Sequence, residues 1–153
     1  MKRFLILFLF LSLLVTAGGC SLQTRQDQVL ESLGEYGSKQ IWTHGEFQDY
    51  TDHGIYTYSS IALEQNEYFT EVSDEDVETL HTFLDDFENW VGIFRNYDPN
   101  DQLVMNYAFD RSVIDAADYF YLYQDPEQPQ FSCYDLWIID SQTNTLYYFH
   151  SNI

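Results

Sequence analysis

Residues 73–94 carry the strongest hydrophobic periodicity in the chain. Apolar side chains recur every three or four residues and fall within one arc of about 140° on a helical wheel. They are Val77, Leu80, Phe83, Leu84, Phe87, Trp90, Val91 and Phe94. Ser73 is a candidate N-cap, and the acids behind it favour the positive end of a helix dipole. The pattern predicts a long amphipathic helix over 73–90 that packs its apolar side on a sheet or core.

The C-terminal part of the chain contains three short segments rich in aromatic and β-branched residues, at 118–123, 134–139 and 145–150. Such residues favour strands, and the prolines and polar residues between the segments favour turns. We therefore predict a three-stranded antiparallel meander. With the long helix, it places the chain in the α+β class, an antiparallel sheet with one amphipathic helix packed on it.

Weaker local patterns predict the remaining elements. Leucine and valine at helical spacing predict a short helix at 24–33. Two apolar runs predict a hairpin with strands at 41–47 and 55–63, joined by a turn at 49–54. The other predicted segments are a strand at 67–72, a stretch at 103–109 that suits a strand or a helix, and a short helix at 112–116.

The first residues of the chain have the organisation of an export signal. Lys2 and Arg3 precede an apolar run at 4–15, and small residues follow it. At about 1.5 Å per residue the run covers roughly 18 Å, well short of a hydrocarbon layer of about 30 Å. A permanent membrane-spanning helix is therefore the poorer interpretation.

Residues 17–20 read Ala-Gly-Gly-Cys, and with them the chain resembles bacterial lipoproteins. The resemblance implies cleavage before Cys20, diacylglycerol on its sulfur, and a lipid-anchored position on the extracytoplasmic face of the cell membrane. Residues 1–19 are then the signal peptide, 20–25 the lipid-anchored tether and 26–153 a single globular α+β domain. The alternative is a simple secreted protein in which Cys20 is free or disulfide-bonded.

The last residues, 145–153, read Thr-Leu-Tyr-Tyr-Phe-His-Ser-Asn-Ile. They resemble the ends of small uncharacterised secreted proteins of Gram-positive gut bacteria. This second resemblance implies no activity.

The charge balance excludes one class of partner. The formal net charge is −19, and it becomes more negative when Lys2 and Arg3 leave with the signal peptide. Such a chain is repelled by nucleic acid and by anionic lipid headgroups. We expect no nucleic-acid partner, and we expect attachment to the membrane through lipid at Cys20.

No catalytic motif is recognisable. The sequence lacks the serine-hydrolase elbow, the zinc-protease helix, phosphate loops and dinucleotide glycines. We therefore predict no catalytic residues and no cofactor, with Ca²⁺ as the one ion worth considering. The alternative is a small cell-envelope hydrolase that uses paired carboxylates, with Glu46, Asp52 and Asp118 as examples.

Five residues of the long helix form one polar stripe, because they are spaced three or four apart: Asp74, Glu78, His81, Asp85 and Glu88. Oxygen-rich clusters of this kind bind Ca²⁺ outside the cell. A straight helix, however, presents carboxylates in a row rather than around an ion. The pattern favours a solvated acidic surface over a cation site.

A second candidate site is an aromatic binding face composed of Tyr119, Tyr121, Tyr123, Trp137 and Tyr147. Flat aromatic surfaces suit sugar rings and protein partners, although the same rings also suit a core. From these patterns we expect a non-catalytic binding module for an extracellular protein, an envelope glycan or a cation.

Overall fold

The computed structural model describes residues 24–46 and 49–153. The chain divides after Ser32 into two compact units. The predicted helix at 24–33 is confirmed as α1 (Arg25–Ser32) in the first unit. Its start is capped by Asp27, whose carboxylate accepts hydrogen bonds from the backbone N and the hydroxyl of Thr24. None of the helices in the described ranges could span a lipid bilayer.

The second unit is built on a six-stranded antiparallel sheet with the order β1-β2-β6-β5-β4-β3. The strands are β1 (Tyr36–Glu46), β2 (Asp49–Tyr58), β3 (Thr70–Glu71), β4 (Tyr119–Gln124), β5 (Cys133–Asp140) and β6 (Thr145–Asn152). The predicted α+β class and the C-terminal meander of β4, β5 and β6 are confirmed. Of the strand predicted at 67–72, only the two residues of β3 are in a strand.

The predicted N-terminal hairpin exists, but the turn predicted at 49–54 is wrong. These residues belong to β2, where Asp52 pairs with Thr43 and Gly54 pairs with Ile41. A glycine fits this position of the strand because the ring of Tyr56 occupies the space next to it. An atom of that ring lies only 3.1 Å from where a Cβ would be. The missing side chain therefore makes room for an aromatic ring rather than marking a turn.

The long predicted helix is confirmed as α2 (Asp74–Tyr97) and extends beyond its predicted end. Ser73 and Asp76 form a capping box at its start. Its buried residues are Leu80, Phe83, Leu84, Phe87, Val91 and Phe94. Gly92 lies inside the helix. The periodicity of the sequence thus identified the buried side of α2 correctly.

Two short helical segments connect α2 to β4. The ambiguous stretch at 103–109 contributes to α3 (Gln102–Asn106), whose first turn is capped by the Asp101 carboxylate. The short helix predicted at 112–116 is instead a single 3₁₀ turn, Arg111–Val113.

Strand alternation divides the side chains of the sheet between two faces. On the face that packs against α2, which we call the helix face, Leu136, Ile138 and Phe149 join the side chains of α2 in one core. The opposite face carries Tyr121 and Trp137, which pair across β4 and β5, and Tyr148, which pairs with Trp137 across β5 and β6. We call it the tyrosine face.

Candidate functional site

The predicted cation stripe on α2 is partly neutralised by a cation of the chain itself. Arg111 places Nη1 2.7 Å from Asp85 and Nη2 2.8 Å from Glu88. Glu88 also accepts a hydrogen bond of 2.9 Å from the hydroxyl of Tyr107. Two carboxylates of the stripe are therefore bound to a guanidinium.

The remaining members of the stripe stay on the outer side of α2. Asp74 and Glu78 are exposed, and His81 is half-buried. Across 24–46 and 49–153, no group of three or more His, Cys, Asp and Glu side chains is arranged to hold a metal ion.

The predicted aromatic binding face is divided between the two sides of the sheet. Tyr119, Tyr121 and Tyr123 share the tyrosine face with Trp137, whereas Tyr147 lies on the helix face. Tyr147 pairs with Ile138 in the sheet, and its ring centroid is 4.9 Å from that of Phe109. Residues 147 and 137 have opposite orientations because the antiparallel register places Tyr148, not Tyr147, beside Trp137.

Rings stack in a row across the tyrosine face. The ring centroids of Tyr121 and Trp137 are 5.1 Å apart, as are those of Trp137 and Tyr148. Trp137 is fully buried and Tyr148 is 3% exposed, while the three tyrosines of β4 are half-buried. The partly exposed rings of β4 can therefore contact a partner, whereas the buried rings of Trp137 and Tyr148 stabilise the sheet.

Asp52 and Asp118, two of the three carboxylates considered for a hydrolase, do not share a site, because Asp52 lies in β2 opposite His150 whereas Asp118 directly precedes β4. Asp118 is buried, and its oxygens accept hydrogen bonds from the backbone N of Asp115 at 3.1 Å and of Ser141 at 2.9 Å. Burial raises its pKa, and these two backbone bonds oppose that shift. Asp118 thus joins two loops. The side chain of Glu46 lies outside the described part of the structure.

Asp52 is part of a row of titratable side chains that crosses the tyrosine face. In the register of the sheet, His150 of β6 lies directly between Asp52 of β2 and Asp135 of β5. The Nδ1 atom of His150 is 2.7 Å from Oδ1 of Asp135. We call these three residues the acidic row.

Neighbouring side chains set the geometry of the acidic row. The Tyr148 hydroxyl donates a hydrogen bond of 2.8 Å to Asp135, so one carboxylate oxygen contacts two side chains of β6. The hydroxyl of Thr43 donates to Asp52. The ring of Tyr50 covers the imidazole of His150, with 4.5 Å between centroids.

The electrostatics of the row follow from burial and from like charge. Burial raises the pKa of Asp52, and the Asp135 carboxylate adds to the shift, whereas the Thr43 hydroxyl and His150 oppose it. The pKa of Tyr50 is also raised, first by burial and then by Asp52 and Asp135. The row therefore concentrates negative charge beside aromatic rings, an arrangement that suits a cationic group.

Sequence reasoning named Asp52 but missed Asp135, His150 and Tyr50. The available signal was one carboxylate in the otherwise apolar and aromatic stretch 133–139, and a histidine in Thr145–Asn152. Nothing local indicated that the two faced each other. Comparison of the chain with protein-family models, with curated proteins and with solved structures finds no match.

Proposed function

We propose that the protein is a lipid-anchored, extracytoplasmic binding module without catalytic activity. The support for the anchor is the export signal followed by Ala-Gly-Gly-Cys at 17–20, which lies outside the described residues. A lipid on Cys20 would hold the domain at the extracytoplasmic face of the cell membrane. A strongly acidic chain obtains no electrostatic attraction from anionic headgroups there, so the lipid would supply the attachment.

The observation that supports binding is the acidic row beside the stacked rings of the tyrosine face. Two carboxylates and an imidazole lie on three adjacent strands, next to Tyr50 and Tyr148. Carboxylates attract a cationic group, and the neighbouring rings add cation–π attraction and apolar contact.

The partner that fits this chemistry is an extracellular protein that offers arginine or lysine side chains. The net charge of −19 speeds encounter with a basic surface and opposes encounter with an acidic one. A neutral envelope glycan would use the tyrosine rings but would gain little from the carboxylates, and a bare cation would lack the ring contacts.

The alternative of a hydrolase with paired carboxylates has less support. Asp52 and Asp135 lie on strands separated by β6, so their backbones are roughly 10 Å apart. The imidazole of His150 occupies the position between them, where a scissile bond would have to lie. The carboxylate pair is therefore better suited to holding charge than to attacking a substrate.

A titration with a short peptide of alternating arginine and glycine tests the binding proposal. We expect the purified protein to bind the peptide, and the double variant Asp52→Asn with Asp135→Asn to bind it about tenfold more weakly. Isothermal calorimetry at low and at physiological salt provides the measurement.

The matched control removes the same charge elsewhere. Glu64 and Glu67 are exposed on the segment before β3, so Glu64→Gln with Glu67→Gln changes net charge equally without touching the acidic row. If this control weakens binding as much as the double variant does, the interaction is unspecific and the proposed site is wrong. Failure of the wild-type protein to bind would also reject the proposal.

The anchor has its own test. Metabolic labelling with radioactive palmitate should mark the wild-type protein and leave a Cys20→Ala variant unlabelled. Equal labelling of the two would reject lipidation at Cys20 and leave the binding proposal untouched.

A further inference from the structure

The first strand of the sheet, β1, has one open edge. It pairs with β2 on one side and ends the sheet on the other. Two irregularities limit this edge, a shift in register between Tyr36 and Ser38 and the positive φ of Gly45. The regular part of the edge is therefore 39–43, of which three residues are exposed and two are half-buried.

Hydrogen bonds elsewhere in the sheet show which backbone groups of β1 point to the open edge. The N–H of Tyr58 donates to the carbonyl oxygen of Asn144 at 3.0 Å, and these two residues continue the register of β2 with β6. Backbone groups alternate between the two sides of an antiparallel strand, so β2 bonds to β1 at positions 38, 40, 42 and 44. The N–H and C=O groups of Lys39, Ile41 and Thr43 therefore point out of the sheet.

These outward groups have no hydrogen-bond partner within 24–46 and 49–153. An open row of backbone donors and acceptors is a template for another strand. Proteins often block such an edge with a charged side chain, and Lys39 is the residue that could do so here. Its Nζ, however, lies over the ring of Tyr56, 5.6 Å from the centroid, and so extends back over the sheet. Another strand can therefore reach the edge.

We propose that β1 pairs with β1 of a second copy of the chain, antiparallel and centred on Ile41, so that two six-stranded sheets become one continuous sheet. A two-fold axis at Ile41 places Ile41 opposite itself and Lys39 opposite Thr43. Each outward N–H then meets an outward C=O of the other copy. The inference goes beyond the binding function proposed above and does not depend on it.

The side chains of the edge also fit a second copy. In this register Lys39 of the second copy lies opposite Thr43, whose hydroxyl donates to Asp52. Two strand spacings, about 10 Å, separate the backbones of that lysine and Asp52. An extended lysine side chain that leaves the ring of Tyr56 spans most of this distance. The positive charge of one edge is therefore complementary to the carboxylate behind the other, and the two Ile41 side chains pack together on the same face.

The expected dimer is weak. Only five residues of each copy form the edge, so the interface is small. Two copies of net charge −19 also repel each other, and salt screens this repulsion. We therefore expect the dimer to form between about 10 µM and 1 mM at physiological salt, and to dissociate at low salt.

Amide hydrogen exchange of the ¹⁵N-labelled full-length protein, followed by NMR at low and high concentration, tests the proposal. The outward N–H groups of Lys39, Ile41 and Thr43 should exchange quickly in the dilute protein. At about 1 mM and physiological salt their exchange should be at least about tenfold slower, because they are then bonded to the second copy.

The open edge of β4 provides an internal control. The N–H of Asp125 donates to the carbonyl oxygen of Cys133, so the same alternation directs the backbone groups of Leu122 and Gln124 away from β5. On that side β3 pairs only with the first two residues of β4. Exchange at Leu122 and Gln124 should therefore be equally fast at both concentrations.

Two proline variants compare the edges by sedimentation equilibrium. Ile41→Pro removes the central N–H of the proposed dimer without removing a bond to β2, so it should fold and remain monomeric. Leu122→Pro removes an outward N–H of β4 and should dimerise as the wild type does.

A second pair of variants tests the charge contact. Lys39→Gln should weaken the dimer about threefold. Arg95→Gln, an equal change of net charge at an exposed position of α2, should leave the dimer unchanged. Equal weakening by both variants would contradict the proposed register.

Several outcomes would overturn the proposal. They are a monomer up to about 1 mM at physiological salt, or association that does not slow exchange at Lys39, Ile41 and Thr43. Equal slowing at Leu122 and Gln124, or dimerisation of Ile41→Pro as strong as that of the wild type, would overturn it as well. The exchange measurement uses the wild-type protein, so its result does not depend on the stability of any variant.

Discussion

Asp135 and His150 lie directly opposite each other on β5 and β6, with Oδ1 and Nδ1 2.7 Å apart. Their side chains are 15% and 10% exposed, so the pair is largely removed from water. The same Asp135 oxygen accepts from the Tyr148 hydroxyl two residues before His150 on β6. One carboxylate therefore fixes two neighbouring side chains of the tyrosine face.

Asp135→Asn should lower the free energy of unfolding at pH 7 by about 1–3 kcal/mol, because both partners lose a charged acceptor. Urea denaturation is the measurement. Glu64→Gln, an exposed change of the same charge, is the control and should have little effect. Equal stability of Asp135→Asn and wild type would mean that the pair contributes nothing to folding.

Asp52→Asn should change how stability depends on pH. Because burial and Asp135 raise the folded-state pKa of Asp52, its favourable contribution is present below pH 3.8 and is lost as pH rises through the folded pKa. The variant should therefore gain stability relative to wild type between about pH 3 and pH 7. Urea denaturation at both pH values measures this, and a relative loss at pH 7 would contradict it.

His53 gives the opposite pH dependence. It is fully buried on the helix face between the rings of Trp42 and Phe149. Burial lowers the pKa of His53 from 6.5 to about 4, although its hydrogen bond to the Tyr148 carbonyl favours the charged form. Its contribution to stability is present above pH 6.5 and is lost as pH falls toward 4, since the unfolded chain then binds the extra proton.

The loss attributable to His53 should reach roughly 3 kcal/mol at about pH 4. His53→Phe should therefore show a smaller decline in unfolding free energy on acidification from neutral pH than the wild type. His81→Gln, on the outer side of α2, should keep the wild-type decline. Identical pH profiles for His53→Phe and wild type would show that His53 is not buried in the neutral form.

Arg111→Lys should destabilise the protein by about 1 kcal/mol, although it preserves the charge. The guanidinium contacts Asp85 and Glu88 through different nitrogens, and a lysine ammonium cannot reproduce that geometry. The size is modest because Asp85 is 70% exposed. Thermal unfolding is the measurement, and Arg95→Lys, exposed at the last turn of α2, should be close to neutral.

Two glycines should respond to alanine with opposite signs. Gly92 lies inside α2 with no atom within 4 Å of the position that a Cβ would occupy, so Gly92→Ala should raise stability by about 0.5–1 kcal/mol. Gly45 has a φ of +91°, and a Cβ there would lie too close to the Asp49 carbonyl oxygen. Gly45→Ala should therefore be clearly less stable than wild type. Chemical denaturation of both variants tests the contrast.

The cation stripe shows where reasoning from local spacing stops. Spacing along α2 placed Asp85 and Glu88 on one stripe, but it did not reveal that Arg111, in the turn after α3, would bind them. The guanidinium comes from a segment more than twenty residues away, and a helical wheel contains no information about such a partner.

The sheet sets a similar limit. Alternation placed the tyrosines of β4 on one face, but the assignment of Tyr147 to that face needed the register between β5 and β6. The composition of residues 49–54 suggested a turn. A local pattern could not reveal that the ring of Tyr56 would fill the space next to Gly54.

Local pattern was sufficient to specify the long helix, the three C-terminal strands and the buried side of α2, because hydrophobic period and propensity act over neighbouring residues. Only the folded chain places β2 beside β6, and this pairing brings Asp52 to His150 and Asp135. It is also the folded chain that brings Asp101 to His44. Strand alternation states which residues share a face, whereas strand order and register depend on packing between distant parts of the chain.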